Sequence, residues 1–300
     1  MGENKKVFFV INKFSGTGYS ARVEGLITDF CAARGWHATL EFTKGRGHAS
    51  ELTREALADK FEVIVAMGGD GTVNEVAQGV LHQPVAMGIL PKGSGNGLAR
   101  HLGIPLSLNK ALAVLDSQKT IQMDALSVNG HISVNVSGIG FDGHIANLFD
   151  RGSSRGVLGY TRLVLREYFS YPEATAVLEI DGKRSEQPSM VIAFANSSQF
   201  GNNARIAPNA SVCDGVMDIG VVRHVSLFNL PRIAWQLFLG RIAESREVAV
   251  SQAREVTVRF ENPRAFHIDG EASGMSKELV VKVLPGAIQM LVPMNTNMRP

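Results

Sequence analysis

The chain has 300 residues, 45% of them hydrophobic, which is enough for two domains that each bury a core. Its 30 Lys and Arg residues nearly balance its 28 Asp and Glu residues, and a net charge of +2 provides no general attraction to nucleic acid. The two cysteines, Cys31 and Cys213, lie far apart, which argues against a disulfide scaffold or a structural zinc site and fits a reducing cytosol.

The predicted elements of the first half alternate between strands and helices. Its first apolar run is too short for a signal peptide, and no later run reaches the roughly 18 apolar residues of a membrane span. The predicted strands are residues 7–11, 37–43, 61–66 and 85–90, and the predicted helices are residues 19–34, 49–59, 72–81, 98–102 and 107–115. Four successive β-loop-α units predict a doubly wound parallel sheet, in which a ligand binds beyond the carboxyl ends of the strands.

The most informative stretch is Gly68-Gly69-Asp70-Gly71-Thr72, between the third predicted strand and its helix. Glycine allows a ligand to approach the backbone closely, and a helix N-terminus offers unpaired N–H groups to a phosphate. Thr72 and Glu75 have the spacing of a capping box, so the helix is predicted to begin at Thr72. Asp70 would repel a bare phosphate. The presence of this acid in the loop is explained if it acts through Mg²⁺ or holds a hydrogen-bond donor in place.

Each of the other loops that follow a predicted strand of the first half also carries polar side chains. Because the carboxyl ends of parallel strands share one edge, these loops should converge on one rim. Together they supply amides, hydroxyls, cations and one acid, which predicts a polyphosphate site. The residues are Asn12, Lys13, Ser15, Thr43, Lys44, Arg46, Asp70, Thr72, Lys92, Ser94 and Asn96.

Strands dominate the second half. The predicted strands are residues 123–129, 131–137, 174–180, 190–196, 216–222, 248–260, 265–269, 279–283 and 287–292, with helical insertions at residues 143–150, 160–169 and 227–242. Asn129-Gly130 and Asp181-Gly182 are typical of hairpin turns. We predict an N-terminal doubly wound parallel α/β nucleotide-binding domain over residues 1–121 and a C-terminal antiparallel β-sandwich-like domain with helical insertions over residues 122–292. The site would lie in the inter-domain cleft, and residues 293–300 could return to the first domain.

Other motifs are less specific. Residues 16–21 match a loose dinucleotide-binding pattern, Gly-x-Gly-x-x-Ala, but Lys13 and Phe14 lie between the strand and the first glycine. No Walker A pattern occurs, and Ser94 lacks the context of a hydrolase nucleophile. The Asp269-Gly270-Glu271 segment is either a hairpin turn or a pair of acids that face one space. Asp214-Gly215 is either a turn or a cation site built from a carboxylate and backbone carbonyls.

The motifs in order resemble those of the diacylglycerol kinase catalytic-domain family, which includes bacterial soluble lipid kinases and the sphingosine and ceramide kinases. The resemblance covers nearly the whole chain. The Gly-Gly-Asp-Gly-Thr motif alone is shared with NAD kinases and phosphofructokinases, whereas the full set is more specific. The set is Asn12-Lys13-Phe14-Ser15-Gly16, Gly68-Gly69-Asp70-Gly71-Thr72, Gly93-Ser94-Gly95-Asn96, Gly140-Phe141-Asp142, Asp214-Gly215-Val216-Met217-Asp218 and Asp269-Gly270-Glu271. The Gly-Ser-Gly-Asn form is closer to sphingosine kinases than to bacterial diacylglycerol kinases, which leaves the acceptor lipid open.

The resemblance implies roles for individual residues. It implies that Glu271, with Asp269 beside it, takes the proton of the acceptor hydroxyl. It implies that Asp142 meets the polar head of the lipid. It also implies a structural Mg²⁺ near Asp214, held partly by the carbonyls of Ser211 and Val216. The residues that it implies for an ATP site are Asn12, Thr43, Gly68, Gly69, Asp70, Gly71, Thr72, Val73, Asn74, Glu75 and Ser94.

We therefore expect a lipid kinase of phospholipid biosynthesis that uses ATP and Mg²⁺, with Asp70, Asp269 and Glu271 as its catalytic residues. Its expected partner is a diacylglycerol or sphingoid-type lipid at the membrane surface, and not nucleic acid. Its expected location is the cytoplasm, with transient contact to the membrane. The apolar, Arg-containing stretches 227–241 and 160–166 could make that contact or pack in the core.

Three alternatives remain at this stage. The first is a phosphotransferase with a soluble acceptor, as in NAD kinases. The second is a dinucleotide-binding module, and the third is a nucleotide-binding regulator without turnover. Exposed sheet edges in the second domain could also pair in a homodimer.

Overall fold

The computed structural model describes residues 4–16, 18–151 and 157–296 and divides the chain into two compact units. Unit 1 runs to Asp124 and resumes at Pro285, and unit 2 comprises Ala125–Leu284. Within unit 1, Lys119 Nζ donates hydrogen bonds to the carbonyls of Met294 (3.0 Å) and Thr296 (2.7 Å). Residues 297–300 of the predicted C-terminal return lie outside the described residues.

Unit 1 alternates strands and helices, as the sequence predicts. The strands are β1 (Lys6–Ile11), β2 (His37–Phe42), β3 (Val63–Gly68) and β4 (Ala86–Pro91). The helices are α1 (Arg22–Ala32), α2 (His48–Ala58), α3 (Asp70–Val80), α4 (Gly97–His101) and α5 (Leu108–Leu115). Every residue of β3 is buried, as expected for a central strand of a parallel sheet that is covered on both faces.

The strands of unit 1 form a parallel sheet in the order β2-β1-β3-β4, and the end of β14 (Glu271–Leu291) adds a further parallel strand beside β4. This order confirms the predicted doubly wound sheet. The chain places β2 on one side of β1 and β3 on the other. The loops after β1 and β3 therefore leave the sheet at its topological switch point, where ligands bind in folds of this kind.

Unit 2 is dominated by antiparallel strands. The strands are β5 (Thr120–Val128), which begins in unit 1, β6 (His131–Ser133), β7 (Val136–Gly140), β8 (Ala174–Ile180), β9 (Lys183–Ser189), β10 (Val191–Ala195), β11 (Met217–Val222), β12 (Val248–Ala253), β13 (Glu255–Ile268) and most of β14. The helices are α6 (Phe141–Arg151), α7 (Val157–Tyr168) and α8 (Leu230–Leu239). Strands β12, β11, β10, β7 and β13 follow one another in antiparallel pairs, and Phe194, Ile219 and Val258 lie in the core beneath them.

Three tight turns set the register of unit 2. Asn129-Gly130, Asp181-Gly182 and Asp269-Gly270 each have positive φ at both residues. That is the signature of the type I′ turn, whose twist matches the flanking strands. The first two confirm the hairpins predicted from the sequence. The third shows that the Asp269 segment is a hairpin turn.

Several element boundaries differ from the prediction. Residues 248–260 do not form one strand, because β12 ends at Ala253 and β13 begins at Glu255. The strands predicted at residues 279–283 and 287–292 are both parts of β14. Strand β9 is absent from the prediction because its sequence, KRSEQPS, has no apolar alternation; its pairing with β8 produces it. In the described part of the chain, no helix has the length and apolarity that a membrane crossing requires.

Candidate functional site

Three loops meet at the switch point of unit 1. We call residues 12–16, after β1, the first loop and residues 68–72, after β3, the second loop. Residues 92–97, after β4, are the third loop. All three follow the carboxyl ends of parallel strands, so the rim predicted from the sequence exists.

Asn12 joins the first loop to the second. Its backbone N–H donates to the Met67 carbonyl (2.9 Å), and its side-chain Nδ2 donates to Thr72 Oγ1 (3.1 Å). Its Oδ1 accepts a hydrogen bond from the N–H of Phe14 (2.9 Å). One asparagine side chain therefore shapes the turn of the first loop and fixes its distance from the second.

Lys92 joins the third loop to the other two. Its backbone N–H donates to the Gly68 carbonyl (2.8 Å), and its Nζ donates to the Ser15 carbonyl. Burial lowers the pKa of Lys92 below its usual range. Gly16 has a φ of +66°, and a Cβ at that position would lie 2.0 Å from the Lys92 carbonyl oxygen. Glycine is therefore required where the first and third loops approach each other.

Asp70 holds the third loop in place. Its Oδ2 accepts from the N–H of Asn96 (2.9 Å), and its Oδ1 accepts from the N–H of Gly97 (2.7 Å). The Asn96 side chain then closes the loop, because it accepts from the N–H of Gly93 (2.8 Å) and donates to the Gly93 carbonyl (2.7 Å). Of the two roles that the sequence leaves open for Asp70, these contacts correspond to holding hydrogen-bond donors.

The glycines of the second and third loops also permit close packing, against backbone at Gly93 and against the Thr72 side chain at Gly68. A Cβ on Gly93 would lie 2.6 Å from Gly69 Cα, and a Cβ on Gly68 would lie 2.4 Å from Thr72 Oγ1. The first neighbour is backbone, and the second accepts the hydrogen bond from Asn12 Nδ2 that joins the first loop to the second. A side chain at Gly68 or Gly93 would therefore separate the loops.

Other residues predicted for the nucleotide site lie on or beside these loops. The N–H of Thr43 donates to the Ile11 carbonyl (2.9 Å), so Thr43 adjoins the end of β1. Ser94 is exposed on the third loop. Val73 and Asn74 are buried in the first turns of α3, which directs their side chains into unit 1.

Glu75 caps α2. Its Oε1 accepts from the N–H of Gly47 (2.8 Å), and its Oε2 accepts from the N–H of Ala49 (3.0 Å), at the N-terminus of α2. Helix α3 begins at Asp70, with Gly69 at its N-cap and no side-chain cap. The capping box predicted for Thr72 and Glu75 is therefore wrong, because contacts with other elements engage both side chains.

A cation lies beside the first loop. Lys13 Nζ is 3.6 Å from the centroid of the Phe42 ring, 4.9 Å from that of Tyr19 and 3.7 Å from Glu24 Oε1. The Tyr19 hydroxyl donates to Glu24 Oε1 (3.0 Å). Burial, together with the Glu24 hydrogen bond and charge, raises the pKa of Tyr19 to about 12, so its hydroxyl is neutral at physiological pH.

In unit 2, Asp142 and His267 form a buried pair. His267 Nδ1 accepts from the N–H of Gly270 (3.1 Å), so Nε2 carries the ring proton and donates to Asp142 Oδ2 (3.1 Å). Asp142 Oδ1 accepts from the N–H of Gly143 (2.8 Å) at the start of α6. The His267 side chain is 4% exposed and the Asp142 side chain 14%, so the imidazole orients a carboxylate that solvent still reaches.

Asp269 connects its turn to the segment between β6 and β7. Its Oδ1 accepts from Ser133 Oγ (2.5 Å) and from the N–H of Asn135 (3.0 Å), and its Oδ2 accepts from the N–H of Val134 (2.9 Å). The residue is buried. Three donors on two buried oxygens give Asp269 the contacts of a structural acid.

Glu271 follows the turn and begins β14, opposite Ile268 in the antiparallel register. Its carbonyl accepts from Ser273 Oγ (3.1 Å). The residue is partly exposed, whereas Asp269 is buried. Glu271 is therefore the more accessible of the two acids in this segment.

The loop before β11 carries Ser211, Asp214 and Val216, the residues predicted for a cation site. Asp214 Oδ1 accepts from the N–H of Val216 (3.2 Å) across the tight turn that follows Ser211. Asp218, on β11, is buried, and burial with the nearby Asp214 charge raises its pKa to about 6 against the opposing hydrogen bond from Gln252. The described residues contain no cluster of three or more His, Cys, Asp or Glu side chains, so a cation here would need backbone carbonyls as ligands. An oxygen-only set of a carboxylate and carbonyls suits Mg²⁺, and the mutual repulsion of the two acids favours a cation.

Two family models match the chain. Residues 6–128 match the diacylglycerol kinase catalytic domain, and residues 135–292 match the YegS C-terminal NAD kinase beta sandwich-like domain. These matches and the two units define the class of the protein as a phosphotransferase of the kinase type. More narrowly, the chain belongs to the diacylglycerol kinase catalytic-domain family of lipid kinases.

Similar proteins span most of the chain. The diacylglycerol kinase of Bacillus subtilis strain 168 is 28% identical over 249 residues, which are 80% of this chain and 81% of that protein. A probable lipid kinase, YegS-like, of Pectobacterium atrosepticum is 29% identical over 255 residues, 82% of this chain and 83% of that protein.

A crystal structure of a diacylglycerol kinase from Bacillus anthracis strain Sterne matches with a TM-score of 0.77, at 21% identity, over 98% of each chain. At that identity the likeness concerns the fold alone. It supports the predicted two-domain α/β and β-sandwich architecture.

Sequence reasoning missed the role of His267. Its alternation with Phe266 and Ile268 indicates a side chain that points away from the core, but nothing in the local sequence indicates a contact with Asp142, 125 residues earlier. The role of Glu75 was missed for the same reason, since its partners lie on α2. The only available signal is chemical: a His or an acid that becomes buried needs a hydrogen-bond partner.

Proposed function

We propose that the protein is a lipid kinase that transfers the γ-phosphate of ATP to a hydroxyl of a diacylglycerol or sphingoid-type lipid. The observation that supports this proposal best is the set of three interlocked loops at the switch point of unit 1, in a chain of a lipid-kinase family. Phosphoryl transfer depends mainly on positioning and on neutralisation of charge. Loops that are fixed to one another by backbone and side-chain hydrogen bonds provide the positioning.

On the donor side, unit 1 would bind the polyphosphate. Lys13 and Lys92 bring two cations to the first and third loops, and burial of Lys92 strengthens its attraction for an anion. Asp70 would act by holding the backbone of Asn96 and Gly97. Mg²⁺, when bound, supplies neutralisation of phosphate charge, and Asp214 with the carbonyls of Ser211 and Val216 would hold a structural ion in unit 2.

On the acceptor side, Glu271 would accept the proton of the lipid hydroxyl as a general base. Asp269 would hold the turn that carries Glu271. Asp142, oriented by His267, would accept a hydrogen bond from the polar head of the lipid. A sphingoid ammonium or a glycerol hydroxyl can each donate such a bond, so this contact is compatible with either lipid class.

Membership of a lipid-kinase family also supports a proposal for partners and location. The protein would work in the cytoplasm in phospholipid biosynthesis, with peripheral contact to the membrane that holds its substrate and with no nucleic-acid partner. A homodimer through sheet edges of unit 2 is part of the same proposal.

The test is incubation with γ-labelled ATP and Mg²⁺ against a panel of acceptors, followed by chromatography of the products. The panel contains diacylglycerol, a sphingoid base, ceramide, phosphatidylglycerol and undecaprenol. We expect label in one lipid product and none with Glu271→Gln. Binding of ATP with no labelled lipid from the panel would reject the proposed activity and favour a regulator without turnover.

A second candidate is phosphorylation of NAD. It is favoured by the description of the matched C-terminal model, an NAD kinase beta sandwich-like domain. NAD is therefore added to the panel as a soluble acceptor. Labelled NADP in the absence of any labelled lipid would favour this candidate over a lipid kinase.

A further inference from the structure

Helix α8 and the residues before it form an exposed apolar surface on unit 2. We call it the α8 patch and define it as Leu227, Phe228, Trp235, Phe238 and Leu239. Their exposed fractions are 53%, 95%, 67%, 56% and 50%. Large apolar side chains this exposed in one short segment mark an interaction surface.

The opposite side of α8 is also apolar. Leu230, Ile233 and Leu237 are partly buried, and they pack against the core clusters beneath the helix. A helix that is apolar on all sides is normally buried. In α8, however, no residue is fully buried, and the apolar outer side is exposed. That arrangement is typical of a helix that lies at an apolar interface.

Polar contacts hold α8 in this position. Glu247 accepts hydrogen bonds from Asn229 Nδ2 (3.0 Å), Arg232 Nη2 (2.9 Å) and Ser245 Oγ (2.6 Å). The hydrogen bond from Ser245, together with the hydrogen bond and charge of Arg232, lowers the pKa of Glu247 against the opposing effect of burial, which keeps Glu247 charged at neutral pH. The N–H of Arg205 donates to the Leu237 carbonyl near the C-terminus of the helix (3.0 Å). The patch is therefore a fixed surface.

The segment that contains the patch carries a net positive charge, although Arg232 and Arg241 pair with Glu247 and Glu244. Residues 223–247 contain four arginines and two glutamates, whereas the whole chain is almost balanced. Arg223 and Arg246 are exposed, and the N–H of Arg223 donates to the Glu247 carbonyl (2.9 Å). Aromatic and leucine side chains beside arginines are the combination that binds the interface of an anionic bilayer.

We propose that the α8 patch docks unit 2 onto an anionic phospholipid membrane. Its apolar side chains would lie in the headgroup–acyl boundary, and the exposed Arg223 and Arg246 would contact the lipid phosphates. The inference rests on the proposed function for its partner, because a kinase with a lipid acceptor must reach a bilayer. Docking itself needs neither ATP nor turnover. Of the two stretches that the sequence suggests for membrane contact, this proposal assigns the contact to the one that contains α8 and not to residues 160–166.

The chain provides its own probe, because it contains only two tryptophans, Trp36 in unit 1 and Trp235 in the patch. In a Trp36→Phe background, the emission of Trp235 reports the patch alone. We expect a blue shift with vesicles of equimolar phosphatidylcholine and phosphatidylglycerol. The shift should be much weaker with phosphatidylcholine vesicles and should fall as salt rises.

Matched variants in vesicle co-sedimentation test the surface itself. Phe228→Ser and Phe238→Ser should each weaken binding by about tenfold, as expected for the loss of one inserted aromatic side chain. Arg223→Gln and Arg246→Gln should each weaken binding to the anionic vesicles by about fivefold. The controls are Phe169→Ser, which is 64% exposed after α7, and Arg184→Gln in β9; neither should change binding.

Three outcomes would overturn the docking proposal. One is unchanged binding in Phe228→Ser and Phe238→Ser, and another is loss of binding in Phe169→Ser alone. The third is a dimer in light scattering that Phe238→Ser converts to a monomer, since a second copy would then cover the patch.

Failure of the docking inference and failure of the proposed activity give different results. The docking inference fails alone if a short-chain soluble lipid is phosphorylated but vesicles are not bound. The activity fails alone if vesicles are bound but no acceptor is labelled.

Discussion

Asp142, Asp269 and Glu271 lie close to one turn of unit 2, yet their surroundings differ. Asp142 is held by one imidazole, Asp269 is buried under three donors, and Glu271 is partly exposed at the start of β14. The sequence predicts that Asp269 and Glu271 share a turn, because Asp-Gly favours type I′ geometry. It does not distinguish them, because the donors to Asp269 come from a segment about 135 residues earlier, and only the fold brings that segment to the turn.

Substitution of the two acids should separate their roles. Glu271→Gln should lower kcat by about 10²–10⁴-fold through loss of the general base and leave the free energy of unfolding within about 0.5 kcal/mol. Asp269→Asn should lower the free energy of unfolding by about 1–3 kcal/mol, because an amide group would bring a donor to buried donors. Urea unfolding and the labelled-ATP assay measure both effects. Full turnover in Glu271→Gln would reject it as the base, and an equally stable Asp269→Asn would reject the structural role.

At the scale of elements, apolar periodicity predicts the strands and helices of unit 1 because β1, β3 and β4 have buried interiors and the longer helices bury one face. The same signal fails where an element depends on a distant partner. Strand β9 has no apolar pattern and exists because it pairs with β8 through the Asp181-Gly182 turn. The cap of α2 comes from Glu75 on α3, so no local capping motif marks it.

The cap of α2 leads to a prediction on stability. Glu75→Ala removes the acceptor of the N–H groups of Gly47 and Ala49, so the free energy of unfolding should fall by about 1–2 kcal/mol. Glu55→Ala, on the exposed side of the same helix, is the matched control and should change stability by less than about 0.5 kcal/mol. Chemical denaturation of both variants provides the measurement. If Glu75→Ala loses ATP binding but no stability, the carboxylate serves the ligand more than the helix.

At the scale of the whole chain, the rule that ligands bind beyond the carboxyl ends of parallel strands predicts the location of the rim in unit 1, because four successive β-loop-α units predict a parallel sheet whose loops share that edge. The behaviour of residues 227–239 could not be predicted in this way. Their composition is equally suitable for a buried helix and for an interfacial one, and only their exposure in the folded unit distinguishes the two. The proposed metal site is only partly predictable from the sequence. Asp214-Gly215 indicates a turn that carries a carboxylate, but nothing in the sequence indicates which backbone carbonyls would complete the ligand set.

Magnesium should therefore stabilise the folded chain even without nucleotide. Ligand binding to the native state adds RT ln(1 + [L]/Kd), so Mg²⁺ at ten times its Kd should add about 1.4 kcal/mol to the free energy of unfolding, a rise of a few degrees in Tm. Asp214→Asn should abolish this rise, because it removes the only charged member of the proposed ligand set. Asp59→Asn, an exposed carboxyl at the end of α2, should keep it. Thermal unfolding in MgCl₂ and in EDTA measures the difference. A rise that persists in Asp214→Asn would mean that the stabilising ion binds elsewhere and would reject Asp214 as its ligand.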